Sequence, residues 1–185
     1  MLIDDFELIA PGFSDEPWNE AQALGAAVWL WMHSKAHRDT PLHALNSLLL
    51  PAIAQRQFII GLQQGRPVFY VSWSQFDAAA ERRYLDNPPI ALPQADWNCG
   101  ERLWFHDWVT PFGHSAQVTR LLQRHFFANR CARALYHRGD ERGLRVKTFQ
   151  GIAVLPAEAR AWFAEHPLSA ARPAHAGHRE KQKDL

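Results

Sequence analysis

Asp107 is the residue of this chain best placed to do chemistry, because it lies within a bulky apolar run over residues 101–110. A carboxylate among apolar side chains is costly unless a histidine, an arginine or backbone donors pair with it. Titratable groups in such surroundings are candidates for a functional site. A structural aspartate bonded to backbone N–H groups of a neighbouring loop is the alternative. Period-two alternation predicts that Asp107 shares a strand face with Leu103, Phe105 and Val109, opposite Trp104, His106 and Trp108.

His37 is the second candidate, and it lies at the predicted end of a helix rich in tryptophan. A ring in that position can be reached from a cleft, and histidine exchanges protons near neutral pH. A contact with the helix dipole is the structural alternative. His33 and His37 are four residues apart, a spacing found in metal sites, but no third ligand and no following glutamate accompany them. We therefore predict no metal site.

Other catalytic patterns are missing from the sequence. There is no Gly-x-Ser-x-Gly, no Gly-rich phosphate loop, and no signature of a catalytic thiol around Cys99. Residues 22–27 match a loose pattern of acetyl-CoA-binding loops, but they lie inside a predicted helix and not between a strand and a helix. The only other cysteine is Cys131, which excludes a disulfide scaffold and an all-cysteine zinc site.

A mixture of helices and strands must position these candidates. Helices are predicted over residues 15–35 with Ser14 as cap, from Thr40 to about 53, over 78–84 with Asp77 as cap, and over 115–127 and 156–166. Strands are predicted over 57–63, 67–74, 101–110, 131–136 and 144–150, the first two and the last two as hairpins. This order predicts an α+β domain around a mostly antiparallel sheet. We expect one domain over residues 1–166 and a mobile tail over 167–185.

The composition is that of a soluble globular protein with a large core, since 47% of the residues are apolar and 21% are charged. The longest apolar run, residues 26–32, is far shorter than the roughly 18 residues that cross a bilayer. The first residues lack the features of a secretory signal. We therefore predict a cytoplasmic protein without stable membrane insertion. Eight tryptophans are an excess, and some could line a groove for an apolar ligand.

Charge is segregated along the chain, although the net charge is only +1. Residues 120–147 contain eight basic and two acidic residues, whereas residues 1–37 contain six acidic residues and one lysine. A basic face of this kind favours an acidic partner. Ordinary solvated surface charge is the alternative.

Several segments, in order and at matching spacing, resemble the RTX toxin-activating lysine acyltransferases. The resemblance covers roughly residues 15–165. It rests on Trp29-Leu30-Trp31-Met32-His33-Ser34-Lys35-Ala36-His37-Arg38-Asp39, Leu49-Leu50-Pro51-Ala52-Ile53, Tyr70-Val71-Ser72-Trp73, Trp97-Asn98-Cys99-Gly100-Glu101-Arg102, Asp107-Trp108-Val109-Thr110-Pro111-Phe112-Gly113 and Arg145-Val146-Lys147-Thr148-Phe149-Gln150-Gly151.

The resemblance implies a fold similar to the GNAT acyltransferases and a cytoplasmic enzyme. Such an enzyme takes a fatty acyl chain from acyl carrier protein and places it on internal lysines of an RTX protoxin, without a bound cofactor. The family's essential histidine falls on His37, its essential aspartate on Asp107 and a supporting serine on Ser34. Family members commonly have tryptophan where this chain has Thr40, so the groove beside His37 is expected to differ in shape. A homodimer is also implied.

The residues themselves agree with that chemistry. Only a neutral amine attacks a thioester, and a histidine such as His37 can remove the lysine proton while a carboxylate orients its ring. Acyl carrier protein is acidic, so the basic segment offers a docking face, with Arg120, Arg124, Arg130 and Arg133 as candidate contacts. We predict no nucleic-acid partner. Two alternatives remain: a catalytically silent GNAT-like binding module, and a conventional N-acetyltransferase that uses acetyl-CoA.

Overall fold

A seven-stranded sheet forms the centre of the protein. The computed structural model describes residues 1–138 and 141–169, without the side chains of residues 136–144. The strands lie in chain order, and every neighbouring pair is antiparallel except β5 and β6. They are β1 (Leu2–Ile3), β2 (Phe6–Ile9), β3 (Phe58–Gln63), β4 (Arg66–Phe76), β5 (Arg102–Val109), β6 (Cys131–Arg138) and β7 (Glu141–Gln150). The predicted α+β class with a mostly antiparallel sheet is confirmed.

Helices cover both faces of this sheet. They are α1 (Glu20–Met32), α2 (Leu45–Leu48), α3 (Leu50–Ala54), α4 (Ala78–Asp86), α5 (Ser115–Leu121) and α6 (Pro156–Glu165). One turn of π-helix, Leu122–Phe126, extends α5, so this helix runs nearly to its predicted end. Short 3-10 turns cover Leu42–Ala44, Pro89–Ala91 and Gln94–Trp97.

Two helix predictions differ from the structure in their boundaries. Asn19 caps α1 and not Ser14, because the Asn19 side-chain oxygen accepts the Gln22 N–H at 2.9 Å. Ser14 instead accepts the Glu16 N–H inside a turn. The second helix is broken into a 3-10 turn, α2 and α3, with Pro51 in the first turn of α3, where its missing N–H costs nothing.

The hairpin of β3 and β4 forms as predicted. Gln64 and Gly65 connect the strands with φ values of 52° and 73°, the left-handed conformation that a two-residue hairpin turn requires. Asp77 caps α4 as expected, since its carboxylate accepts the Ala80 N–H at 2.7 Å. The short connection and this cap fix how β4 enters and leaves the centre of the sheet.

The core lies on both sides of the sheet, and much of the tryptophan excess belongs to it. One side packs against α1, α3 and α4, and the other packs against α5 and the loop before α1. Four of the eight tryptophans are buried, namely Trp31, Trp73, Trp97 and Trp104. These four rings therefore pack in the interior, and of them Trp73 also borders a cavity at the surface.

The last described residues are held against the domain. Glu81 is completely buried, and its carboxylate accepts hydrogen bonds from Arg102, Trp104 and Arg133. Ser169 adds a backbone N–H at 3.2 Å and its hydroxyl at 2.6 Å to the same carboxylate. The expectation of a mobile tail from residue 167 is therefore wrong for residues 167–169. Residues 170–185 lie outside the described part of the chain.

Candidate active site

His37 lies in a turn that follows the end of α1. The turn is closed by backbone hydrogen bonds from His37 and Arg38 to the Ser34 carbonyl, at 3.1 and 2.9 Å. The His37 ring packs against Trp31, with ring centres 4.8 Å apart, and 26% of the His37 side chain is exposed. The packing of α1 thus fixes the ring while one part of it stays open to solvent.

Asp107 is brought to the same place by an irregularity in β5. Val71 of β4 pairs with Trp108, and Trp73 pairs with Phe105, so Ser72 alone faces both His106 and Asp107. An extra residue on one strand is a β-bulge, and it bends the strand and re-aims its side chains.

The bulge makes the predicted alternation wrong beyond His106, which still shares the side of Trp104. Trp108 packs in the same cluster as Leu103 and Phe105, on the α5 side of the sheet. Val109 packs on the opposite side, among residues of α1 and α3. Asp107 reaches His37 on that same side, because the extra residue inverts the alternation.

Four polar side chains form a line at this point. His37 Nε2 lies 3.4 Å from Asp107 Oδ1, and His37 Nδ1 lies 2.8 Å from the Ser34 hydroxyl oxygen. Asp107 Oδ2 accepts the Ser72 hydroxyl at 2.6 Å, and the Asp107 N–H donates to the same Ser72 oxygen at 3.2 Å. A hydroxyl, an imidazole, a carboxylate and a second hydroxyl are thus in direct sequence. This arrangement can take up and hold a proton.

Ser72 is the member of this line that sequence reasoning missed. It is fully buried in the middle of β4, where its neighbours are large apolar residues. A small polar residue at an inward position of a buried strand requires a partner, and this was the available signal. Its hydrogen bonds with the carboxylate and with the backbone N–H of Asp107 hold this residue in one orientation.

The surroundings of Asp107 stay uncharged. Burial, partly opposed by the charge of Asp107, lowers the pKa of His106 to about 4, so this ring is neutral at pH 7. His106 is stacked on Trp97 and bonded to the Ser74 hydroxyl at 2.8 Å. Burial and the nearby Asp107 charge raise the pKa of Tyr70 well above its ordinary value. His37 is therefore the histidine that both contacts Asp107 and is open to solvent.

The four candidate docking arginines fall into two groups. Arg120, Arg124 and Arg130 are exposed, so their role in docking stays a prediction. Arg133 is buried, pairs with Glu81 at 3.2 Å and stacks on the rings of α6. The docking prediction is wrong for Arg133, because its guanidinium is already enclosed and paired.

The structure adds two facts on metals and membranes. His33 does not face His37: its Nδ1 lies 2.8 Å from the Trp29 carbonyl and its ring packs on Trp29. Among the described residues, no three histidine, cysteine, aspartate or glutamate side chains are grouped as metal ligands would be. No helix in that part of the chain has the length and apolar character needed to span a bilayer.

Comparison with known proteins gives the family. The model of the RTX toxin acyltransferase family, HlyC, matches residues 16–150, a range that contains all four residues of the polar line. The chain belongs to the RTX toxin acyltransferase family. This confirms the resemblance predicted from the sequence.

The relatives of this chain include three proteins whose names state an acyltransferase activity. The RTX-I toxin-activating lysine-acyltransferase of Actinobacillus pleuropneumoniae is 36% identical over 72% of this chain and 76% of its own length. The protein-lysine palmitoyltransferase of Bordetella bronchiseptica is 38% identical over 78% of each chain. The protein-lysine myristoyltransferase of Escherichia coli is 34% identical over 57% of this chain and 60% of its own length.

Proposed function

We propose that this protein transfers a fatty acyl group to lysine side chains of an RTX protoxin and so activates it. Family membership and the names of its relatives support this activity. The observation that carries the proposal within the chain is the His37–Asp107 contact, a half-open imidazole 3.4 Å from a buried carboxylate. Acyl transfer to an amine needs such a base.

The geometry suggests which ring nitrogen acts as the base. The negative Asp107 carboxylate favours a proton on Nε2, the nitrogen that faces it. Nδ1 then carries the lone pair and accepts the Ser34 hydroxyl at 2.8 Å. An incoming amine can pass its proton to Nδ1 by way of this hydroxyl or by replacing it.

The reaction then proceeds in two bond changes. The neutral lysine nitrogen bonds to the carbonyl carbon of the acyl thioester, and its proton moves to His37. The C–S bond breaks, and the leaving thiolate takes the proton back from the imidazolium. Asp107 stabilises the charged ring between these steps, and Ser72 holds Asp107 in place. The products are an acyl-lysine amide and a free thiol.

Acyl carrier protein is the donor that we propose. Arg120, Arg124 and Arg130 are exposed around α5 and the start of β6, where they can attract an acidic protein. The absence of a Gly-rich phosphate loop from the sequence also favours a carrier protein over acetyl-CoA. We further propose that the enzyme works in the cytoplasm as a homodimer.

A GNAT-like fold, formed by residues 1–166 as one domain, is part of the same proposal. The two parallel strands, β5 and β6, are joined through α5 and pair over only three residues each, Leu103–Phe105 with Ala132–Ala134. Beyond Phe105 the two strands share no further pairing, and Asp107 lies just past that point. The point where the two strands stop pairing is where we propose that the thioester arm enters, next to the base.

Transfer of a labelled acyl chain to purified protoxin, read by peptide mass spectrometry, tests this function. We expect transfer from acyl carrier protein, a loss of at least about 100-fold in His37→Ala, and an unchanged melting temperature. His43→Ala is the matched control, because His43 is exposed in a neighbouring turn. Near wild-type transfer by His37→Ala would overturn the base assignment.

The choice of donor separates the two alternatives. Transfer from acetyl-CoA but not from acyl carrier protein would identify a conventional N-acetyltransferase. Binding of acyl carrier protein without transfer to any lysine would identify a silent binding module.

A further inference from the structure

An exposed face at the end of α1 leads up to the histidine base. Trp29 and Met32 lie in the last turn of this helix, and His33 caps it. Residues three and four apart on a helix are neighbours on its surface, so these three side chains share one face. Met32 is 65% exposed, and His33 directly precedes Ser34, which contacts His37. Apolar surface is therefore exposed directly before the catalytic turn.

Phe112 continues this face from the segment that carries Asp107. It lies in the connection from β5 to α5, and 38% of it is exposed. Its ring centre is 5.7 Å from that of Trp29 and 5.4 Å from that of His33. The guanidinium of Arg66 lies over two of these rings, 5.0 Å from the centre of Trp29 and 5.1 Å from that of Phe112. We call the five residues the aromatic patch: Trp29, Met32, His33, Arg66 and Phe112.

The position and chemistry of the aromatic patch suit one part of the donor. During transfer the thioester carbonyl carbon lies beside His37, so the acyl chain attached to it starts next to the patch. A fatty acyl chain is uncharged, and each methylene that leaves water stabilises its binding. Met32 and Phe112 offer apolar surface for it, and the aliphatic stem of Arg66 extends that surface.

The cavity bordered by Trp73 does not offer the same route. Its volume is about 510 Å³, and Phe126 and Phe127 also line it. Ser72, the neighbour of Trp73 in β4, contacts Asp107. Successive residues of a strand point to opposite faces, so the sheet separates this cavity from the catalytic pair. A chain attached beside His37 would have to cross the sheet to enter it.

We propose, on the basis of the function proposed above, that the aromatic patch binds the fatty acyl chain of the donor. The chain runs from the thioester beside His37 across Met32 and over the ring of Phe112. The connection that holds Phe112 continues into α5, which carries Arg120, a proposed contact of the acyl donor. Chain and carrier are thus bound by connected segments. The aromatic patch then selects donors by the length of the acyl chain.

Steady-state kinetics with hexadecanoyl and butanoyl acyl carrier protein test this assignment. Met32→Ser and Phe112→Ser should each raise KM for the hexadecanoyl donor at least tenfold more than KM for the butanoyl donor, because a short chain buries few methylenes. Ile152→Ser is the matched control, since Ile152 is also 65% exposed and follows β7, outside the aromatic patch. The control should leave the ratio of the two KM values at its wild-type level.

The outcomes separate the possible occupants of the aromatic patch. An equal rise of both KM values would identify a docking surface for the carrier protein and overturn the assignment. A smaller species of Phe112→Ser in sedimentation would show that a second copy of the chain covers the patch, and would overturn it too. Unchanged KM values for both donors would also overturn it. Wild-type protein that transfers neither chain would contradict the proposed function itself.

Photo-crosslinking locates the chain without turnover. Hexadecanoyl acyl carrier protein with a diazirine at the terminal carbon of its chain is bound to the wild-type protein in the absence of protoxin, irradiated and mapped by peptide mass spectrometry. We expect adducts within residues 29–33 or at Phe112. Adducts at Phe126 or Phe127 would place the chain in the cavity on the other side of the sheet and overturn the proposal. This result does not depend on lysine acylation, so it distinguishes a wrong chain site from a wrong function.

Discussion

Two histidines lie close to Asp107, and their surroundings give them opposite roles. His106 is enclosed by Trp97, Tyr84 and Phe76, and its low pKa keeps it neutral. His37 keeps part of its ring open and touches the carboxylate directly. In the sequence both are histidines of segments that contain tryptophan, so composition alone cannot separate them. The resemblance to the family identified His37, and the contact with Asp107 gives the physical reason.

Ser72→Ala should lower activity through Asp107 and not through folding. A hydrogen bond to a charged group contributes about 1.5–3 kcal/mol, which corresponds to roughly 10- to 100-fold in rate. We expect kcat to fall by that factor while KM for both substrates changes little. Ser74→Ala is the matched control, since Ser74 lies two residues along the same strand and bonds His106 instead. Equal kcat losses in both variants, or loss of kcat only in proportion to unfolding, would contradict a positioning role.

At the scale of elements, β5 determines both the site and the limits of prediction. Its position, its bulky composition and its central place were readable from the sequence. Its bulge was not readable, because it arises where two residues of β5 lie opposite Ser72. That register depends on the pairing with β4, which no local pattern in β5 encodes. The hairpin turn at Gln64-Gly65 and the cap at Asp77 were predictable for the opposite reason, since both are set by neighbouring residues.

The partly buried His106 of β5 should make stability depend on pH. Its pKa is about 4 in the folded protein and about 6.5 in the unfolded chain. Between these values the unfolded state binds more protons, so stability is complete above pH 6.5 and is lost as the pH falls towards 4. The contribution is on the order of 3 kcal/mol. Denaturant unfolding of the wild type and of His106→Phe from pH 7 to 4.5 measures this contribution. If the free energy of unfolding changes with pH by the same slope in both proteins, His106 does not cause the dependence.

The exposed arginines of α5 and its π turn should act on donor binding. Arg120→Glu with Arg124→Glu reverses the charge of this surface, so KM for acyl carrier protein should rise about tenfold at low salt, and less as salt increases. Arg82→Glu with Arg160→Glu changes the net charge equally at exposed positions elsewhere and is the control. If both double variants raise KM alike, net charge and not this surface governs donor binding.

At the scale of the whole molecule, the Glu81 cluster joins parts that are far apart in the chain. It ties α4 to β5, β6 and the residues after α6 through Arg102, Arg133 and Ser169. Sequence reasoning treated Arg133 as surface charge and the residues after 166 as a tail. Both errors have one cause, because charged residues are usually exposed and only the fold brings a buried carboxylate to meet them.

Truncation of the chain tests the contribution of the Glu81 cluster to stability. Ending the protein after His166 removes Ser169, which donates twice to Glu81, and Pro167, whose carbonyl accepts from Arg102 at 2.8 Å. Since hydrogen bonds to charged groups contribute about 1.5–3 kcal/mol each, we expect a clear fall in melting temperature. A chain ending after Ala171 keeps these contacts and should melt like the full-length protein, and Ser169→Ala should fall between the two. Acylation by the two truncated chains and by Ser169→Ala should persist below their melting temperatures, because the Glu81 cluster has no contact with His37. Equal melting temperatures for the two truncations would mean that residues 167–169 add nothing to the stability of the domain.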